Sequence, residues 1–559
     1  MAAKKLVLEY IYEHEANQPG KVFLTQPLGR GAVTDYTWGQ TLDQARRLAA
    51  HLRSRGLGAG SHIAILSKNC AHFFIAELAI WIAGGTTVAI FPTEGPDTIR
   101  FVLEHSDARL LFVGKTDHWE QQAVGVPADL PCIALPLAPP TSFDQWDDLL
   151  AQTAPLAGKP QRAATDTAMI IYTSGSTGTP KGAMIAFAAV TAVAEGYRGD
   201  LEKRIGKQRE WRVLSYLPLA HSFERAVVES TAWVSGRGHI FFAESPGTFL
   251  ADLNRARPNL FVSVPRLWLK FQQGVLAKIP AGRLDLLLRL PIVGKLVGRK
   301  VLRGLGLDQV ELAASGSAPI PAELIAWYRK LGLNLMEGYA MTEDFAFSHR
   351  STEAMNAPGY VGMPYDGVEV RIGPGNEILI KSPGQMQGYY KRPDLDAESF
   401  TADGFFRTGD MGERRADGLL KLTGRVKELF KTANGKYVAP APIENRLNEH
   451  TMVELSIVSG VGQPAAFGMV VLAEHLRPRL AEPALRAEVE AEMVQLLQQV
   501  NVGLAAYERL QMLVVSREPW SIENGCLTPT MKIKRSRIEG LAAPWIAAWY
   551  ESGKPVVWA

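Results

Sequence analysis

The chain has 559 residues, long enough for roughly three or four structural units. Hydrophobic residues make up 47% and charged residues 21%, the balance of a globular protein with a large buried core. Sixty Lys and Arg against 57 Asp and Glu leave +3, so nothing in the total charge calls for nucleic acid.

The N-terminus carries Glu9, Glu13 and Glu15 where an export signal would be apolar, so a cytoplasmic protein is expected. Cys70, Cys132 and Cys526 lie far apart, which gives neither a disulfide framework nor zinc-ligand spacing. Residues 41–57 form an amphipathic helix pattern, and 62–66 a short buried strand. Residues 73–91 are apolar apart from Glu77, but Gly84 and Gly85 divide them. A buried helix followed by a buried strand is expected there, not a membrane span. A helix over 97–107 and a strand over 108–114 continue the alternation, which argues for parallel α/β layers. Residues 131–165, rich in Pro and Ala, read as a connector. Strands are then expected at 168–173, 213–219, 239–242, 260–264 and 309–319, with a helix near 224–236. Short strands and turns over 359–423 predict a small β subdomain. The last ~135 residues, with a helix over 484–504, read as a separate smaller domain.

The stretch "IIYTSGSTGTPKGAM", Ile170 to Met184, follows an apolar strand and is dense in Gly, hydroxyls and one lysine. It is not a Walker A loop, because Pro180 and Gly182 stand where that motif needs Gly and Ser or Thr. The ingredients still suit phosphate. Gly175 and Gly178 let the backbone approach an anion, Thr173, Ser174, Ser176 and Thr177 offer hydroxyls, and Lys181 supplies charge. The plain alternative is a polar surface turn.

This loop resembles the phosphate loop of the adenylate-forming superfamily, which includes acyl-CoA synthetases, adenylation domains and beetle luciferases. Four further motifs stand in that family's order: "ASGSAP" (314–319), "EGYAMTED" (337–344), "FRTGD" with "GRVKELFKTANGKYVAP" (406–410 and 424–440), and "LTPTMKIKRSRI" (527–538). The resemblance implies an α/β fold. It has a large N-terminal domain, 1–423, of stacked parallel-rich layers with the β subdomain, and a smaller mobile α+β domain, 424–559. It also implies that Ser317, Ala318 and Tyr339 contact adenine and that Thr342 contacts the α-phosphate. Glu343, with Thr173, would hold Mg²⁺, and Asp410 and Arg425 would hold ribose or phosphate. Lys427 would be the interdomain hinge, Gly435 and Lys436 would lie beside the CoA path, and Lys532 would be catalytic. Ala340 departs from the family's usual Gly and bears on acyl preference.

"YLPLAHSFER" (216–225) and "VPRLW" (264–268) are similar to segments of long-chain fatty acyl-CoA synthetases, with His221 near the carboxylate or, equally, hydrogen-bonded in the core. The implied reaction consumes a fatty acid, ATP and CoA. Transfer to a carrier protein, or a lipid-binding homologue without catalysis, are the alternatives. Residues 283–307 alternate basic and apolar side chains, a pattern suited to reversible contact with the inner face of a membrane.

Overall fold

The computed structural model of the protein describes residues 5–174, 179–528 and 531–559. Its largest sheet has eight strands in the order Gly388–Tyr389, Pro180–Ala186, Thr167–Ser174, Thr86–Ile90, His62–Leu66, Ala108–Val113, Cys132–Ala134 and Asp144–Gln145. From Thr167–Ser174 outward to Asp144–Gln145 every pairing is parallel. Such strands are covered on both faces, which explains their nearly continuous apolar sequences. A second sheet runs Leu260–Ser263, Leu312–Ser315, Leu335–Tyr339, with two short antiparallel strands added at one edge.

The apolar run 73–91 folds as expected. Helix Ala71–Ala83 is buried along its whole length, Gly84 caps it at φ 110°, and strand Thr86–Ile90 follows. Glu77 is fully buried and meets the equally buried Arg225, which explains how a carboxylate sits inside an apolar helix. No helix of the described residues is long and apolar enough to cross a membrane.

Two expectations change. The 131–165 connector contains two strands of the large sheet and helix Trp146–Gln152, whose Trp146 is buried against the core. Pro and Ala richness concealed this because both strands are very short. The strand expected over 213–219 is Trp211–Ser215; Pro218 and the turn to His221 end it early. A further four-stranded sheet contains the hairpin Val22–Gly29 and Ala32–Thr37, which Gln26 and Pro27 obscure in sequence.

The β subdomain is an antiparallel sheet of Glu369–Ile372, Glu377–Lys381, Phe406–Arg414 and Leu420–Arg425. Its last strand runs past residue 423 as far as Arg425. From Phe430 onward two core clusters draw only on C-terminal residues. There helix Pro483–Val502 lays Leu485, Val489, Met493 and Val500 on the sheet Val453–Ser459, Ala466–Leu472, Leu510–Val515, Val556–Trp558. The chain is thus mixed α/β, with a large N-terminal and a smaller C-terminal domain.

Candidate active site

Parallel strands leave a crevice beyond their carboxyl ends, and the predicted residues gather there. Thr173 is the penultimate residue of strand Thr167–Ser174 and pairs across the ladder with Lys181. Ser317 and Ala318 follow Leu312–Ser315, Tyr339 ends Leu335–Tyr339, and Thr342 and Glu343 form the next turn. One cavity of about 1620 Å³ is lined by all of these. His221, Asp410, Arg425, Lys427 and Lys532 line the same cavity. Gly435 and Lys436 do not line it, although their neighbours Lys431 and Tyr437 do. Gly175, Ser176, Thr177 and Gly178 lie outside the described residues, and only the backbone of Ser174 is described.

Asp410 and Arg425 are cross-strand partners in the β subdomain. The register therefore sets their ion pair, Arg425 Nε to Asp410 Oδ1 at 2.9 Å. The hydroxyl of Tyr339 donates to Asp410 Oδ2 at 2.6 Å. Burial and then the Asp410 charge push that hydroxyl well above its ordinary pKa, so it stays a donor.

Glu343 Oε1 accepts from the Tyr389 hydroxyl at 2.6 Å, and Lys181 Nζ lies 5.4 Å from the centre of the Tyr389 ring. Sequence reasoning missed Tyr389. It stands on the edge strand Gly388–Tyr389, which pairs with Pro180–Ala186, and no local motif signals that long-range pairing.

Asp344 was also missed as a functional residue. Its buried Oδ1 accepts from the backbone N–H of Met341 at 3.0 Å and of Phe347 at 3.2 Å, which fixes the turn that aims Thr342 and Glu343. Glu337 lines the cavity yet is nearly fully buried, and its Oε2 has no hydrogen-bond partner. Burial raises its carboxyl to about 8. The native group therefore keeps its proton to about pH 8, whereas an unfolded glutamate loses it near pH 4. Its contribution falls as pH rises between those values. Glu337→Gln is expected to be more stable than the wild type at pH 8 by about 1–3 kcal/mol, with the gap closing toward pH 4. Unfolding midpoints across that range check this; a gap independent of pH contradicts it.

His221 Nδ1 accepts from the Phe223 backbone N–H at 3.1 Å, so its proton sits on Nε2. Burial, then the Lys532 charge, pushes the imidazole down to about 3, and the ring is neutral at physiological pH. His221 is thus locally hydrogen-bonded and also lines the cleft.

Lys532 comes from the C-terminal domain. An antiparallel bridge between Leu527 and Ile533 holds it, with Thr528 N donating to Lys532 O at 2.8 Å and Lys532 N to Thr528 Oγ1 at 3.0 Å. Its side chain lines the cavity and stays accessible to solvent through it. Desolvation, then repulsion from Arg425, lowers its pKa, and Asp410 and Glu343 oppose the shift. The C-terminal domain is tied in this position by Glu454, which pairs with Arg266 of the N-terminal domain and with Arg477 at 2.8 Å. A cleft lined by Lys181, Lys532, Arg425, two carboxylates and neutral hydroxyl donors can hold a polyphosphate and stabilise charge that develops on it.

Comparison with known proteins follows the same outline. The AMP-binding enzyme family matches residues 11–390, and the AMP-binding enzyme C-terminal domain matches residues 428–554. The long-chain-fatty-acid–CoA ligase FadD15 of Mycobacterium bovis is 31% identical, covering 97% of each chain. The peroxisomal long chain acyl-CoA synthetase 7 of Arabidopsis thaliana is 26% identical over 97% of this chain and 85% of its own. Among solved structures, the A-PCP didomain of a carboxylic acid reductase from Segniliparus rugosus, in complex with AMP, matches with TM-score 0.80. It is 21% identical and the match covers 98% of this chain and 82% of that one, a likeness of fold.

Proposed function

Because this chain belongs to the AMP-binding enzyme family, we propose that it is an AMP-forming long-chain fatty acid–CoA ligase. The observation that carries the reading is the entry of Lys532, from the small domain, into the cavity that holds Glu343, Asp410 and His221 of the large one. The relatives named as long-chain-fatty-acid–CoA ligases support the choice of acid and of CoA over a carrier protein.

In the first step a carboxylate oxygen attacks the α-phosphorus of ATP, and pyrophosphate leaves. Lys532 and Lys181 stabilise the charge that spreads over the phosphoryl oxygens. Asp410 and Arg425 hold the ribose side, Tyr339, Ser317 and Ala318 the adenine, and Thr342 the α-phosphate. Neutral His221, with its proton on Nε2, hydrogen-bonds the carboxylate at the mouth of the acyl path. In the second step the CoA thiol attacks the acyl carbon, the C–O bond breaks, and AMP leaves.

No group of three or more His, Cys, Asp or Glu that could hold a metal is present among the described residues. A lone carboxylate and a hydroxyl nevertheless fit Mg²⁺, which takes most of its ligands from water and substrate phosphates. Glu343, with Thr173, would hold it, and when bound it neutralises phosphate charge.

We place the hinge at Lys427, in the turn Val426–Glu428 that follows the last β-subdomain strand, Leu420–Arg425. Rotation there withdraws Lys532 and brings the loop of Gly435 and Lys436 to the cleft for the CoA step. A panel of acids from short to very long chain, assayed for AMP with and without CoA, tests the reading. Long-chain acids are expected to give AMP and thioester. Adenylate without thioester would point to a carrier-protein acceptor, and no AMP from any acid would refute ligase activity.

The same proposal includes reversible contact with an anionic bilayer through helices Ala281–Leu288 and Pro291–Gly304. Leu286, Ile292 and Leu296 are 64%, 77% and 63% exposed there, among the exposed cations Arg283, Arg289, Lys295, Arg299, Lys300 and Arg303. Each cation near such a surface adds about 1 kcal/mol. Co-sedimentation with anionic vesicles is expected, weakening as salt rises; equal binding to neutral vesicles, or none, contradicts it.

A further inference from the structure

Besides the nucleotide residues, three further elements line the cavity. The second sheet supplies the paired residues Val262 and Ala314, then Leu260 and Leu312, on one face. Val227 and Thr231 supply a second wall. Helix Phe187–Ile205 supplies the third with Tyr197, Leu201 and Arg204, spaced to share one helix face. From Tyr197 to Arg204 that face advances about 10 Å. Most of these residues are apolar, and the charged residues Asp200, Arg204 and Arg350 line the same cavity.

Those charges are unequally satisfied. Asp200 is taken by Arg350, whose Nη2 donates to Oδ1 at 2.8 Å while its guanidinium lies 4.2 Å from the centre of the Tyr365 ring. Lys203 approaches Asp200 only at 4.0 Å and is itself exposed. Arg204 is 16% exposed, and its Nη1 has no hydrogen-bond partner. Its nearest anion, Glu353 at 3.6 Å, is 72% exposed and free to swing into solvent. A largely buried guanidinium with an unused donor, in a cavity lined by many apolar side chains, is a poor surface for a methyl group and a good one for a carboxylate.

We propose that Arg204 is a specificity residue that binds the far end of the acyl substrate, so that the enzyme activates long-chain acids carrying a second carboxylate at the ω-position. The reaction is unchanged; only the end held by the cavity differs. The inference rests on the proposed ligase reading.

The test compares kcat/KM for AMP release with hexadecanedioic acid and with palmitic acid. The wild type is expected to activate both. In Arg204→Gln the diacid-to-monoacid ratio is expected to fall about tenfold or more, the loss of one charge-assisted hydrogen bond, and Arg204→Lys should restore most of it. Glu353→Ala, a change at an exposed side chain, removes the competing anion and should raise the ratio. Turnover of palmitic acid without the diacid, or a ratio unmoved in both Arg204→Gln and Glu353→Ala, overturns the proposal alone. If Arg204→Gln does not fold, an unmoved ratio in Glu353→Ala is sufficient to overturn it. If neither acid yields AMP, the ligase reading itself fails.

Discussion

Lys532→Ala is expected to lower pyrophosphate release from ATP and fatty acid by about 10²-fold or more, the usual effect of removing a group that stabilises developing charge. Thioester formation from supplied acyl-adenylate and CoA is expected to survive. The asymmetry follows from where the side chain acts. Lys532 reaches the cleft from a turn of the small domain, where its charge faces a bound phosphate. In the proposed CoA step the rotation about Lys427 has withdrawn the lysine, so the charge that develops on the departing AMP phosphate does not depend on it. Equal losses in both half-reactions would show that Lys532 only maintains the fold or the nucleotide site.

Asp410→Ala is expected to give the opposite pattern, a loss of about 10²-fold in kcat/KM in both half-reactions. Its carboxylate fixes Tyr339 and Arg425 together, through contacts of 2.6 and 2.9 Å. The adenosine part is common to ATP and to the adenylate, so both steps depend on it. Removal also leaves a buried hydroxyl without its acceptor, which costs about 1–3 kcal/mol of stability. Half-reaction rates on the purified variant, beside its unfolding midpoint, check this. A variant with the adenylation step impaired and the CoA step intact would contradict the assigned role.

The contrast between these two variants reflects what the sequence makes legible. Lys181 stands in a loop whose Gly and hydroxyl content suits phosphate, whereas Lys532, Asp410 and Glu343 stand out through the resemblance of their short segments to a known family, and all four line one cavity. The alternation of apolar runs likewise predicted the layered α/β architecture. What stayed hidden depends on distant partners. Tyr389 reaches Glu343 only because an edge strand of two residues pairs with the strand that begins at Pro180. Glu77 reads as an anomaly in an apolar run until Arg225, far along the chain, folds against it. The strands inside 131–165 are too short to show periodicity. Asp344 looks like one more acid beside Glu343, and only the fold reveals that it caps the turn while Glu343 faces the cleft. For Tyr389 and Glu77 the missing information was long-range pairing, which no local spacing carries.

In the proposed ligase reaction a carboxylate oxygen attacks the innermost phosphorus of ATP within this cleft. Oxygen tracing tests it most directly. A fatty acid labelled with ¹⁸O in both carboxyl oxygens is incubated with ATP, CoA and the enzyme, and the products are weighed. The account predicts one ¹⁸O in the AMP phosphate, none in pyrophosphate, and one retained in the thioester carbonyl. Unlabelled AMP, or label in pyrophosphate or free phosphate, would contradict it.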